Sequence, residues 1–322
     1  MTVRLAIVGC GGIAKGAHVE ALKKVPDAEI VAVCDVVKER AEALAEDLGC
    51  AAYQRVEELL DRENVDAVDV ATNEMTRFDP ALAVIRAKKH LICEKPLIAS
   101  RGQFRVIPED VGPARQLVEE ASKNNLLFGM NFNYRFAVHT GHVRRLLDTE
   151  KLGELVYCRI CTHLACWSHV LDLMRYFCGD LAEIFARESP EREENGMPVT
   201  DRFAVVTFKS GAHGTIIGNT RWGWCHPLLA LELCGTEGRV IMEDLAGPTT
   251  FYSNRGHVER WEPAMEAPRN DFQIAFDGSF ANFLAAVRDG KPPFVTGKDG
   301  LKELEIEAAF VESARTGCAV MF

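Results

Sequence analysis

The sequence predicts an α/β protein, with a doubly wound parallel sheet in an N-terminal domain and a second α/β domain built on a mostly antiparallel sheet. Three observations predict it. Short, nearly continuous apolar runs alternate with helical patterns through residues 1–125. A glycine-rich turn, Gly9-Cys10-Gly11-Gly12-Ile13-Ala14, ends the first run and opens the first helical pattern. From about residue 154, strand-like runs follow one another over short turns with few helices between them. Domains are therefore expected at 1–125 and 126–322, with the C-terminal helix packing back on the first.

The elements follow in order. Residues 3–8 read as a strand, and apolar positions from Ile13 through Ala17 and Ala21 to Val25 read as a helix. The unit recurs as strands at 29–34, 67–71 and 90–93, with helices at 37–48, 80–87 and 112–124; residues 100–112 form a loop. Such strands are buried on both faces, as in a parallel sheet with helical crossovers. In the second half, strands are expected at 155–163, 202–208, 214–218, 229–234 and 239–243. Phe272, Phe276, Phe280, Phe283 and Val287 share one helical face, as do Leu301, Leu304, Ala308 and Val311, and both stripes read as core. The acidic run Glu191–Glu194 reads as a solvated loop.

Composition excludes several classes. A chain of 322 residues fits two domains at roughly 150 residues each, and 48 % apolar with 26 % charged residues is globular. No run of about 18 uncharged apolar residues is present, so no membrane partner is expected. The start has no signal-peptide core, and a cytoplasmic protein is expected. With 37 basic against 47 acidic residues the net charge is -10, which argues against nucleic acid as a partner. The eleven cysteines are odd in number and mostly lie in apolar runs, as Cys34, Cys93 and Cys234 do, which suits reduced thiols.

The glycine turn carries the first chemistry. Gly9 permits the tight turn, Gly11 lets a diphosphate approach the backbone, and small Ala14 lets helix and strand pack closely; with Gly12 and Ile13 these residues form the expected phosphate cradle. Asp35 ends the second strand, 21 residues beyond Ala14. There a carboxylate accepts from both ribose hydroxyls and repels a 2′-phosphate, so NAD is favoured over NADP. The alternative is a purely structural turn with Asp35 capping a helix.

Cys93-Glu94-Lys95-Pro96-Leu97 at the end of the fourth predicted strand, after this Asp-terminated half, resembles the Gfo/Idh/MocA oxidoreductase family. The likeness continues through Asn131-Phe132-Asn133-Tyr134-Arg135-Phe136, His169-Val170-Leu171-Asp172, Gly235-Thr236-Glu237-Gly238 and Ser313–Gly317. The resemblance implies a Rossmann domain joined to an α/β domain whose large open sheet forms subunit contacts, giving a homodimer or homotetramer. It implies a site in the cleft between the domains, with Lys95 and His169 facing the nicotinamide, Thr72, Asn73 and Glu94 lining the cofactor, and a cis Lys-Pro bond. Ala71-Thr72-Asn73 and Glu94-Lys95 also stand at strand carboxyl ends, where open α/β sheets bind ligands.

The implied reaction is hydride transfer between nicotinamide and a secondary alcohol of a sugar, polyol or related small-molecule substrate. Alcohol oxidation also releases a proton. Lys95 suits that exchange, and His169 can share it, assisted by His163. Asn133 and Arg135 fall near the substrate by family position, as does Asp172 of the H-x-x-D pair. Arg135 binds a carboxylate in one reading and ties the domains by an ion pair in the other.

The sequence departs from the family around the histidine. The usual D-x-G-x-H-x-x-D reads Ala165-Cys166-Trp167-Ser168-His169-Val170-Leu171-Asp172, so the carboxylate is lost and Trp167 replaces a glycine. Only five residues separate His163 from His169, where many relatives carry a long substrate loop. An open or altered pocket is expected. Two alternatives stay open: an NAD-retaining glycoside hydrolase and a non-catalytic dinucleotide-binding regulator. Cys158, Cys161, His163, Cys166 and His169 also cluster in sequence. Cys158 and Cys161 have opposite strand parity, which excludes chelation by that C-x-x-C; a site of Cys161, His163, Cys166 and His169 is the alternative, and the reading is that no metal is bound.

Overall fold

The structure is a computed structural model describing residues 2–194, 197–220, 228–245, 247–262 and 271–322. These cluster into two compact units: Met1–Asn133 with Phe272–Leu304, and Tyr134–Asp271 with Glu305–Phe322.

The first unit holds six parallel strands: β1 (Val3–Val8), β2 (Ala28–Cys34), β3 (Ala51–Tyr53), β4 (Ala67–Val70), β5 (His90–Cys93) and β6 (Phe128–Met130). Their order is β3-β2-β1-β4-β5-β6. It reverses between β1 and β4, the place where a doubly wound sheet opens a ligand crevice. The first crossover begins as a π-helical turn, Ala14–His18, and continues as α1 (Val19–Leu22). The others carry α2 (Lys38–Leu48), α3 (Val56–Arg62), α4 (Phe78–Arg86) and α5 (Val111–Lys123). The expected strands and helices stand in these places, and β3, β6 and α3 are additions. Three and seven residues give too short a period to register in the sequence.

Small side chains explain how the first crossover seats on the sheet. Ala14, Ala17 and Ala21 are buried against Leu5, Ile7 and Val33, and Phe276, Phe280 and Phe283 complete the core. Those phenylalanines lie on α8 (Asp271–Asp289), as the periodic stripe predicts. Each fully buried ring contributes about 1.5–3 kcal/mol of burial.

The second unit contains α6 (Val138–Asp148), β7 (Leu155–His163), α7 (Trp167–Cys178), β8 (Leu181–Glu188), β9 (Arg192–Glu194), β10 (Met197–Val199), β11 (Arg202–Phe208), β12 (His213–Asn219), β13 (Leu229–Gly235), β14 (Gly238–Met242), β15 (Thr249–Ser253), β16 (Val258–Trp261) and β17 (Val320–Met321). Helix α9 (Gly297–Thr316) precedes β17. Nine strands form one sheet in the order β16-β15-β14-β13-β7-β12-β11-β8-β17. Its pairs are antiparallel except β7 with β12. The acidic run differs from its expectation: Arg192–Glu194 is a strand paired with β10, because Arg192 binds both Glu194 and Asp201 and holds the segment down.

Every cysteine among the described residues is a free thiol. No helix among them is long and apolar enough to cross a membrane. Trp167 is buried, with Phe310 edge-on at 5.2 Å and the Arg202 guanidinium 5.2 Å over its ring. Gly218 makes room for the indole, since a Cβ there would lie 2.7 Å from it. The bulk that replaces the family glycine thus fills core.

Candidate active site

The glycine turn leaves β1 at the point where the strand order reverses. Gly9 has φ +102°, and a Cβ on it would meet the Ala71–Thr72 backbone at 2.8 Å, so both conformation and proximity require glycine. Beyond it the need changes: a Cβ at Gly11 or Gly12 meets nothing within 4 Å. Gly11 borders a cavity of about 600 Å³ whose lining includes Gly9, Asp35, Ala71, Thr72 and Asn73. Ile13 stands partly exposed beside the turn, and Ala14 is fully buried beneath it.

Asp35 is fixed from two sides. Its Oδ2 accepts the Cys10 N–H of the glycine turn at 2.8 Å, and its Oδ1 accepts the Val37 N–H at 2.9 Å. The carboxylate therefore shapes the turn while facing the cavity, and its remaining lone pairs suit hydroxyl donors. Thr72 contributes a buried Oγ1 with no partner among the described residues. Asn73 turns its Oδ1 onto the Met75 N–H. A sugar–diphosphate ligand fits this set: bare backbone for phosphate, an oriented carboxylate for ribose and an unsatisfied hydroxyl.

Lys95 lies just beyond β5, and its bond to Pro96 is cis, as the resemblance implies. Its Nζ donates to Gln103 Oε1 at 3.3 Å, and Gln103 N–H is held in turn by Glu74. Two buried cations grip the residue before it. Arg77 donates to the Glu94 carbonyl at 2.6 Å and also to the carbonyls of Thr72, Pro96 and Leu97. His18 donates from Nε2 to Glu94 Oε1 at 3.0 Å, and its Nδ1 meets Asp69 Oδ2 at 2.7 Å.

Burial opposes charge on both partners, and the pairing overrides it. For His18, burial lowers the pKa, but Asp69 and then Glu94 raise it to about 10. For Glu94, burial raises it, yet the His18 hydrogen bond and charge, followed by Lys95 and Arg77, bring it down to about 2. The sign of the pH dependence follows. The His18 contribution is complete below its ordinary 6.5 and is lost as pH rises through about 10. The Glu94 contribution is complete above its ordinary 4.5 and is lost as pH falls through about 2. Urea-unfolding midpoints are thus expected to peak between these ordinary values and decline toward alkaline pH. The alkaline decline flattens in His18→Gln, and an equal slope in that variant would contradict the pairing.

The second unit holds His163, His169, Arg135 and Asp172, and Asn133 ends the first segment of the first unit. His163 ends β7, and its Nδ1 accepts the Ala165 N–H at 3.2 Å, which places the ring proton of the neutral form on Nε2. Burial lowers its pKa below the ordinary value, opposed by Glu194. His169 lies in the first turn of α7, buried, with the Tyr134 ring stacked on it at 4.0 Å and 12°. Tyr134 is tethered through its hydroxyl to Cys166 Sγ at 3.2 Å. Asp172, one turn beyond His169, is joined to Arg135 by two hydrogen bonds of 2.5 and 2.7 Å, and both side chains are buried. Both residues lie within the second unit, so the pair is a structural one inside that unit and not the tie between domains that the sequence offered. Asn133 is buried, with its Nδ2 lacking a partner among the described residues. No cluster of metal-ligating side chains stands among the described residues.

Sequence reasoning missed His18, Asp69 and Arg77. A signal existed: Asp69 is a charge inside a strand buried on both faces, which requires a partner, and His18 interrupts a helix face of alanines.

Comparison with known proteins places the chain. The GFO_IDH_MocA model, described as an oxidoreductase family with an NAD-binding Rossmann fold, matches residues 3–132, and its C-terminal alpha/beta domain matches 160–322. The chain is 28 % identical to a myo-inositol 2-dehydrogenase of Thermotoga maritima over 92 % of each chain. It is 26 % identical to a scyllo-inositol 2-dehydrogenase (NAD(+)) of Bacillus subtilis, covering 99 % of this chain and 96 % of that one. Among solved structures, an oxidoreductase from Agrobacterium radiobacter in complex with NAD+, L-tartaric acid and magnesium superposes with a TM-score of 0.88 at 19 % identity, over 100 % of this chain and 98 % of that one, a likeness of fold. With both halves matched in sequence order, the chain belongs to the Gfo/Idh/MocA family of NAD(P)-dependent oxidoreductases.

Proposed function

We propose that this protein is an NAD-preferring dehydrogenase acting on a secondary alcohol of a sugar, inositol or related polyol. The observation that carries the reading is the Asp35 carboxylate, locked to the glycine turn at the edge of the cavity. Gly9, Gly11, Gly12 and Ile13 would hold the diphosphate, Asp35 the adenosine ribose, and Ala71, Thr72, Asn73, Glu94 and Lys95 the nicotinamide half. When bound, the nicotinamide supplies the two-electron acceptor or donor. Lys95 Nζ takes the hydroxyl proton on oxidation and returns it on reduction, and His169 shares that work with His163 and Asn133 at the substrate. A screen of inositols, sugars and hydroxy acids with NAD and NADP, read by absorbance of the reduced cofactor, tests this. Turnover without net reduced cofactor would mark the hydrolase instead, and cofactor uptake without turnover the regulator.

Asp35→Ala is expected to weaken NAD binding about ten- to hundredfold, the worth of hydrogen bonds to a charged group, and to erase preference over NADP. Calorimetry with both cofactors measures it, and unchanged NAD affinity would remove Asp35 from the site.

A second copy of the chain is the partner that the open sheet fits. On its outer face Phe203 of β11 pairs with Ile217 of β12, and Val205 pairs with Phe185 of β8. Phe203 and Val205 are 47 % and 52 % exposed, so the apolar patch faces outward. Light scattering should find a homodimer or homotetramer that Phe203→Glu dissociates. A variant that keeps the full mass would rule out this face.

A further inference from the structure

His18 has no exposure, and both ring nitrogens face carboxylates: Asp69 from β4 and Glu94 from beyond β5. A neutral imidazole donates from one nitrogen only, whereas two ionised carboxylates accept only. Both contacts are satisfied together by the imidazolium. Phe276 and Phe280 of α8 close on the ring at 5.4 and 4.9 Å. Asn131, following β6, donates to the same Glu94 oxygen at 2.6 Å. The other Glu94 oxygen accepts the backbone N–H of Lys95 at 3.1 Å, while Arg77 holds the Glu94 carbonyl.

The Glu94–Lys95 step is thus held at the side chain, the carbonyl and the following N–H. Of the donors on the carboxylate side chain, His18 alone is a cation fixed by a second carboxylate. An amide in its place keeps a donor but removes the charge, and desolvation then favours protonated Glu94. A protonated Glu94 frees its rotamer and weakens its hold on the Lys95 N–H.

We propose that His18 is a positioning residue for the reaction, a buried imidazolium that keeps Glu94 ionised and oriented and so presents Lys95 in one place. The proposal rests on the reading of Lys95 as the proton-exchanging group. It adds a role for a residue that touches neither cofactor nor substrate.

The test has two readouts. Nitrogen NMR of the ligand-free protein should show both His18 nitrogens protonated from about pH 6.5 to about pH 9, where an ordinary histidine has lost its proton. A neutral ring at pH 7 overturns the proposal. In His18→Gln, kcat is expected to fall about ten- to hundredfold through misplacement of the amine. Measured in the direction of carbonyl reduction, where Lys95 must be protonated and so gives wild type only an alkaline limb, its pH–kcat profile should gain an acid limb, falling as pH drops through the neutral range. Asp69→Asn, which keeps the shape and withdraws one carboxylate from His18, should gain the same limb and serves if His18→Gln does not fold. Profiles parallel to wild type in the folded variants overturn the positioning role. Activity surviving in Lys95→Met would refute the reading of Lys95 but leave the His18 nitrogen shifts as they are, so the two failures are distinguishable.

Discussion

Lys95→Met is expected to lower kcat by about 10²–10⁴-fold, the usual worth of a positioned general acid–base, while NAD affinity stays within a few-fold of wild type. Methionine keeps the length and most of the packing of the lysine stem but carries no exchangeable proton. The cavity next to the glycine turn, proposed to hold the diphosphate and adenosine ribose, is lined by residues other than Lys95, so most of the dinucleotide's contacts survive the substitution. Gln103, which holds the amine at 3.3 Å, loses only a half-exposed hydrogen bond. Steady-state kinetics and calorimetry on the same preparation separate the two effects. Full activity in the variant would remove Lys95 from the chemistry.

Asp172→Ala is expected to destabilise the protein by about 3–5 kcal/mol, because it leaves the Arg135 guanidinium buried without its carboxylate. The side chains of Arg135 and Asp172 are only 6 % and 1 % exposed, and the pair is bidentate. Solvent therefore offers little compensation, unlike at surface pairs such as Arg144–Asp148. Replacing both partners with apolar residues, Arg135→Met with Asp172→Leu, should recover much of the loss, since the uncompensated charge is then gone. Urea unfolding of the two single variants and the double variant closes the cycle. A cost below about 1 kcal/mol for Asp172→Ala would show that the pair does not hold this unit together, and would return Arg135 to consideration as a substrate ligand.

The sequence made the first sheet legible because its signals are local. β1, the glycine turn and β2 with Asp35 directly after it lie within 35 residues, and each carries its own pattern. The resemblance pointed to Glu94 and Lys95 through a short motif at a strand end. What stayed hidden depends on pairing across long separations. His18 meets Asp69 and Glu94 over 51 and 76 residues, and no periodicity announces such a contact. Arg135 and Asp172 are 37 residues apart, which is why spacing left the role of Arg135 open. In the second sheet, β7 and β12 run parallel although most neighbours are antiparallel, a choice set by chain return and not by strand composition. β8 mixes Glu183 and Arg187 among apolar residues, and its strand period was lost in the charge. Trp167 read as a pocket change because it replaces a family glycine, and only the space beside Gly218 shows where the ring goes.

Calorimetric titration of the pure protein with NAD tests the central claim most directly. The account predicts one saturable site per chain, weakened by Asp35→Ala and retained by Lys95→Met. Absence of any uptake of oxidised or reduced dinucleotide by the folded wild-type protein would contradict it.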